Sequence, residues 1–439
     1  MPYQLCKALF SLRWLLFLAA AGYATQACSI AIDEAFDRAV KVDPVLRSSR
    51  FNQQATAENI AITRSRLLPQ IMLQGASNQL TQTTTQDIPG GASLSRSFTG
   101  PSVNHQLVIR QGLIRPKELS ALNLAELQSR YGEVKYLSDL SDLWLRVAYA
   151  YIELVGAQQI VEAYEKPLAN MLLASRQEKV RFEKGDGTKD VADEAESQYQ
   201  QAKATHTQVV YGLRAKQRAI ELLTQIDPIL IKDLKLSLKP MPKLLEQDRE
   251  QVWQKVKEKS FELRLAELQE AMQKERLQMA SADHLPTLDV LAAWNLAKND
   301  ATSTQGFKYR NNQIGLQYTI TIFGGGGISA VERQAANTLQ SSVADSAAIA
   351  NKVEVDFGLL WSTFQGLTSK VRAGYVSVNS AKEQYKGAEL SYIHGVKTIM
   401  EVANTELSLS RRIADQINAV VELKKYFARL SRQDFRIDD

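Results

Sequence analysis

Along residues 311–323 apolar and polar positions alternate. Ile314, Leu316, Tyr318, Ile320 and Ile322 share one parity, and Gly315, Gln317, Thr319 and Thr321 share the other. A period of two marks a strand with one face against an apolar environment. Residues 286–299 repeat the pattern with Leu288, Val290, Ala292, Trp294 and Leu296, although Leu291 and Ala293 weaken the contrast. Two more strands are predicted over about 68–84 and 102–113, joined by a Ser-, Thr- and Gly-rich loop from Thr81 to Ser102. The loop KNDATSTQGFKYR between the later pair is also polar. Each segment has the length, about 9–11 residues, that a tilted strand needs to cross a bilayer. Long polar loops at one end suit the outer face of a membrane barrel. Soluble antiparallel sheets alternate in the same way, so both readings stand on this pattern.

After each strand pair the period changes. Residues 116–184 and 328–392 read as very long helices, each followed by a shorter one, 190–223 and 398–430. In the first, only Pro116, Gly132, Gly156 and Pro167 interrupt the pattern. At about 1.5 Å per residue such a helix extends about 100 Å, far beyond the mean globular helix of about 11–12 residues. Leu140, Leu143, Val147, Tyr151 and Leu154 recur at coiled-coil spacing. Helices of this length belong to tubes, rods or stalks.

The same order of elements occurs twice. DPVLRSSRFNQQATAENIAITRSRLLPQIML aligns with SFELRLAELQEAMQKERLQMASADHLPTLDV, so that Leu46 matches Leu263 and Pro69 matches Pro286 at one offset. HQLVIRQGLIRPKELSALN aligns with YTITIFGGGGISAVERQAA, and Gly185 in RFEKGDGTKDV parallels Gly395 in SYIHGVKTIMEV. The chain therefore divides into a leader (1–27), a first repeat (28–226), a Pro-containing linker (227–243), a second repeat (244–432) and a tail (433–439).

Lys7 and Arg13 precede the apolar run Trp14–Ala21, and GYATQAC follows. This is the layout of a secretory signal peptide, and its core is too short to span a membrane. Cleavage is expected after Ala24 or Ala27. Cys6 leaves with the leader, so Cys28 cannot form an internal disulfide. It is either an unmodified residue or a lipidated first residue, with Thr25 standing where lipoprotein signals prefer Leu. The net charge of +5 over 439 residues shows no nucleic-acid footprint. His105, His206, His284 and His394 are far apart and no H-E-x-x-H or G-x-S-x-G occurs. No enzyme, metal or cofactor is expected.

Four strands per chain cannot close a barrel, and an open edge is not tolerated in lipid. The smallest single-chain barrels have about eight strands, so copies must share one, and three copies give twelve. HLPTLDV (284–290), LLPQI (67–71), the strand–FGGG–helix passage and the paired G…DV and G…EV turns resemble the TolC family of outer-membrane efflux and secretion channels, from about Ile30 to Leu430. The resemblance implies a homotrimer with a twelve-stranded barrel in outer-membrane lipid and a helical barrel extending into the periplasm of a Gram-negative cell. It also implies a periplasmic adaptor and an inner-membrane ABC exporter or proton-driven pump as partners. The function implied is a passive exit duct for type I secretion or multidrug efflux. A coiled-coil surface stalk would explain the rods and the leader but not strands inserted at matching places in both halves.

Gly324, Gly325, Gly326 and Gly327 follow a strand and open a helix, the order of a phosphate-binding loop. That loop needs a third glycine where Ser329 stands, and a parallel βαβ unit. Glycine at a strand–helix junction serves instead for unusual backbone angles and close packing. Gly112 holds the equivalent place in the first half. The resemblance assigns Glu401 to the ring of acids at the periplasmic constriction, with Asn404 in place of a second acid. Three copies of Glu401 around one axis would favour cations and resist full ionisation; the other reading is a solvated helix acid. It also assigns Asp190 and Tyr392 to a gate latch, the phenol donating to the carboxylate, although an acid near a helix start is favourable in any case. Lys397 stands at a gate arginine's position and Lys189 at its partner's, so that link is absent or rebuilt. Trp294 and Tyr318 are either belt aromatics at the membrane surface or ordinary sheet aromatics.

Overall fold

The computed structural model describes residues 32–228, 231, 236–237, 249–299 and 307–431. The expected leader, Cys28, most of the linker and the tail lie outside them. The elements run α1 (Ile32–Val42), α2 (Pro44–Ser65), β1 (Gln70–Ile88), β2 (Ala92–Ile114), α3 (Pro116–Glu183) and α4 (Lys189–Thr224). They continue α5 (Arg249–Lys259), α6 (Phe261–Ala282), β3 (Thr287–Asn299), β4 (Phe307–Thr319), α7 (Gly327–Ile393) and α8 (Ile399–Ser431). The duplication is visible in the helix lengths. They are 11, 22, 68 and 36 residues in the first half and 11, 22, 67 and 33 in the second.

The local signals are duplicated too. Asp43 caps α2 by accepting the Leu46 N–H at 2.8 Å, and Ser260 caps α6 by accepting from Leu263 at 3.3 Å. Both side chains satisfy an otherwise orphaned N–H of the first turn. Past α2, the N–H groups of Arg66, Leu67 and Leu68 donate three residues back, and past α6 those of Asp283, His284 and Leu285 do the same. Pro69 and Pro286 then stop each helix and the strand begins.

The chain forms two compact units, and each takes segments from both repeats. One comprises Ser48–Ser138 and Ser260–Glu354 and holds the sheet; the other comprises residues up to Arg47, Asp139–Lys259 and Val355 onward and is helical. The sheet is antiparallel, in the order β1-β2-β3-β4.

Two expectations about the strands need correction. The stretch Thr81–Ser102 is not a loop: β1 and β2 stay paired from Gln70↔Arg110 up to Ile88↔Ala92. Above Ser102↔Asn299 no third strand pairs with this ribbon among the described residues. Polarity misleads there because β-branched residues favour extended backbone and the hydroxyls pair across the strands, Thr81 with Thr99 at 2.9 Å and Thr83 with Ser97 at 3.1 Å. Gly90 and Gly91 make the turn with positive φ. Strand β4 spans Phe307–Thr319 rather than 311–323. Its last partner is Thr287, and the next residue along β3 is Pro286, which has no N–H to extend the ladder.

In the helical unit Leu140, Leu143, Val147, Tyr151 and Leu154 are all buried. Trp253 of α5 stacks on Phe357, which continues through Trp361 to Phe364 on α7. Gly156 does not break α3: a Cβ there would lie 2.5 Å from Val421 Cγ2 of α8. In the sheet unit Gly132 meets Thr56 of α2 in the same way. These glycines are places where helices touch.

Candidate functional site

The helix turns carry the residues expected at the periplasmic gate. Helix α3 ends with Gly185 N–H donating to Phe182 O and Asp186 N–H to Arg181 O; helix α7 ends with Gly395 to Tyr392 O and Val396 to Ser391 O. Both are Schellman turns with glycine in the left-handed region, at φ 83° and 72°. The helices that follow start differently. Thr188 makes no side-chain cap bond to α4. Thr398 forms a full capping box: its Oγ1 accepts the Glu401 N–H at 3.2 Å, and Glu401 Oε2 accepts the Thr398 N–H at 2.7 Å. That backbone bond, the Thr398 hydroxyl and nearby Lys397 hold the Glu401 carboxyl below its ordinary value. Glu401 is exposed, as are Asn404, Lys189, Asp190, Tyr392 and Lys397. Among the described residues no hydrogen bond joins Tyr392 to Asp190 within the chain.

A polar network invisible in the sequence lies behind these turns. Glu406 of α8 is 5% exposed. It accepts from Asn170 Nδ2 at 2.6 Å and pairs with Lys166 at 3.4 Å, both on α3. Lys166 also lies over the Tyr385 ring of α7, 5.8 Å from its centroid. Glu406 and then Tyr385 raise the pKa of Lys166. Glu153 of α3 similarly accepts from Lys216 of α4 at 2.7 Å and Lys425 of α8 at 2.9 Å. Residues so far apart in sequence carry no local signal of their pairing.

The strand–helix junctions form a second constellation. Asp289 of β3 is opposite Gly112. Its carboxylate accepts from Arg110 of β2 at 3.0 and 2.6 Å and from Arg115, just before α3, at 2.9 and 2.7 Å. Arg115 packs across Gly112, where a Cβ would meet its Cγ and Nε at 2.9 Å. In the second half Gly325 and Gly326 have φ of 62° and 80°, and α7 starts at Gly327. The neighbouring sheet is antiparallel throughout, so the parallel βαβ setting of a dinucleotide site is not formed here.

The sheet has two distinct faces. One carries Ile71, Leu73, Leu107, Ile109, Leu288, Val290, Trp294, Ile314, Leu316 and Tyr318 in register. Ile314 and Tyr318 are 81% and 78% exposed on it. The other carries amides, with Gln74, Gln106, Asn295 and Asn311 in a single row across all four strands.

Residues 252–432 match the family described as outer membrane efflux protein. The outer membrane protein TolC of Vibrio cholerae is 25% identical over 419 residues, covering 91% of each chain. The proteases secretion protein PrtF of Dickeya chrysanthemi is 24% identical, covering 85% of this chain and 81% of its own. The chain carries an outer membrane efflux protein domain and is a homologue of TolC. Its fold is that of the solved outer membrane channels: the Campylobacter jejuni channel CmeC superposes with a TM-score of 0.74 at 15% identity, covering 92% of this chain and 85% of that one. The efflux-protein family consists of transport conduits and is not an enzyme class, and its members are outer-membrane proteins. The matched segment corresponds to the second repeat, from α5 to α8.

Proposed function

We propose that three copies of this chain close one twelve-stranded barrel in the outer membrane and form a passive exit duct for efflux or type I protein secretion. The observation that carries this is the open sheet. Among the described residues β1 and β4 are both edge strands, and the sheet presents a broad exposed apolar face. Unpaired N–H and C=O groups cannot remain in lipid, so β4 of one copy pairs with β1 of the next. The apolar face then turns to lipid and the amide row lines the bore. Tyr318 and Trp294 lie near opposite ends of the apolar band, since Leu288 pairs with Tyr318 and Trp294 with Asn312. At about 3.3 Å per residue the two levels differ by about 20 Å along the strand, which supports a belt role for both.

In this reading the helical turns face the periplasm. Glu401 and Asn404 ring the constriction, with the capping box holding the Glu401 carboxylate at the start of α8. Asp190, Tyr392, Lys397 and Lys189 act at the gate; with no Tyr392–Asp190 bond within the chain, the Lys166–Asn170–Glu406 network is the stronger tie between helices there. Movement is driven by a partner, an inner-membrane ABC exporter or proton-driven pump reached through a periplasmic adaptor. The test is the size of the purified protein in mild detergent and its conductance in a planar bilayer. A trimer with steady ion flow is expected; a monomer that passes no ions overturns the proposal. Tyr392→Phe with unchanged conductance and unchanged leakage removes Tyr392 from the gate.

A further inference from the structure

The amide face of the sheet is almost without charge. Where all four strands are paired, the charged side chains on that face are Arg110 of β2 and Asp289 of β3. Gln70 stands opposite Arg110, and the row of Gln74, Gln106, Asn295 and Asn311 follows further along the strands. Asp289 answers two cations at once. Arg110 and Arg115 each direct Nε and Nη2 to its carboxylate. Both guanidinium groups are permanently charged, and one carboxylate cancels only one of them. Around the junction the helix ends add Arg64, Arg66, Lys117 and Arg333 against Glu118, Asp283 and Glu332, with His284 beside Glu332. They do not offset the excess. The acid is buried, whereas the Arg110 side chain is half-exposed, so the arginine is what the face presents. Its Nη1 has no hydrogen-bond partner among the described residues.

The geometry points to Arg110 as an anion-recognising residue of the bore, with three copies forming a cationic ring where the strands give way to the long helices. This rests on the proposed trimeric barrel, which turns the amide face inward. The ligand is an oxyanion group on a solute in transit, which a guanidinium engages through charge-assisted hydrogen bonds. The amides along the strands both donate and accept, so they offer the same bonds to cationic, neutral and anionic solutes. Arg110 is where this section of the bore distinguishes solutes by charge. Twelve strands about 4.8 Å apart and tilted about 40° close at a radius of about 12 Å. Side chains reaching inward from that wall bring their charges within about 10 Å of the axis, the screening length at about 0.1 M salt. Asp289 has a second use in this arrangement: it holds Arg110 against the sheet without removing the net positive charge.

The test is ion selectivity of the full chain in planar bilayers, read as the reversal potential in a salt gradient. Arg110→Gln removes three charges at that range and is expected to raise the cation-to-anion permeability ratio about fivefold near 0.1 M salt, and by less near 1 M. Arg115 keeps Asp289 paired in this variant, so the junction is expected to stay folded. Arg110→Lys keeps the charge and is expected to keep the parent's ratio. A ratio unchanged in Arg110→Gln overturns the ring. A second readout needs no ion flow: calorimetric titration of the protein in detergent with inorganic tripolyphosphate at low salt. Binding is expected to weaken about tenfold in Arg110→Gln, the loss of one charge-assisted contact per copy, and equal binding by parent and variant overturns the site. The two proposals fail separately. A conducting trimer in which Arg110→Gln changes neither readout refutes only the ring, and a protein that binds tripolyphosphate through Arg110 but never conducts refutes only the duct.

Discussion

Replacing Asp289 by Asn tests how the strands are fastened to the long helix. The carboxylate is 3% exposed and receives four hydrogen bonds from two guanidinium groups, at 2.6–3.0 Å. Asparagine keeps the shape and one acceptor but turns an N–H₂ toward groups that only donate. Bonds to a charged partner are worth about 1.5–3 kcal/mol each. The Arg110 side chain is 49% exposed, so its share is screened to below about 1 kcal/mol. Arg115, at 24%, carries most of the loss. A net destabilisation of about 3 kcal/mol follows, short of the larger cost of breaking a fully buried pair. The assay is equilibrium unfolding in detergent micelles, with Asp283→Asn as control. Asp283 pairs with Lys117 at 2.8 Å, but the two side chains are 34% and 48% exposed, and its loss is expected to cost less than about 1 kcal/mol. If the two variants unfold alike, the clamp does not fasten the junction and the reasoning fails.

Gly156→Ala places a methyl 2.5 Å from Val421 Cγ2; overpacking of about 1–3 kcal/mol is expected to exceed the gain of about 1 kcal/mol from helix propensity, and a melting temperature above the parent's would refute the close contact. Thr398→Ala removes a complete capping box and is expected to cost about 1 kcal/mol, whereas Thr188→Ala, at a cap with no side-chain bond, costs less; denaturant midpoints distinguish them. Because the Glu401 carboxyl lies below its ordinary value of 4.5, the box is fully formed above that pH and is lost as pH falls through the lowered value. Amide exchange at Thr398 and Glu401, corrected for its intrinsic pH dependence, should lose protection in that direction and keep it in Glu401→Gln less well than in the parent at neutral pH.

Much of the architecture was legible because its signals are local and occur twice. Leu46 and Leu263, Pro69 and Pro286, and Gly185 and Gly395 mark matching turns in the two halves, and each turn is decided by a cap, a proline or a left-handed glycine acting on its immediate neighbours. The polar hairpin above Ser102 was misread because alternation reports a buried face, and that ribbon is exposed at nearly every position on both faces. Gly132 and Gly156 looked like interruptions because a sequence lists residues singly, while their use depends on which helix lies opposite.

The amino-acid order by itself determined the repeated succession of helix, paired strands, long helix and helix, and an apolar strand face that calls for company. Only the tertiary structure decided which distant groups meet: Asp289 with Arg110 and Arg115, Glu406 with Lys166 and Asn170, Glu153 with Lys216 and Lys425. The physical reason is range. Caps, turns and periodicity act over a few residues, so they are written into adjacent positions. Charge pairing and close packing act through space, and depend on a register that is set only once helices and strands have packed.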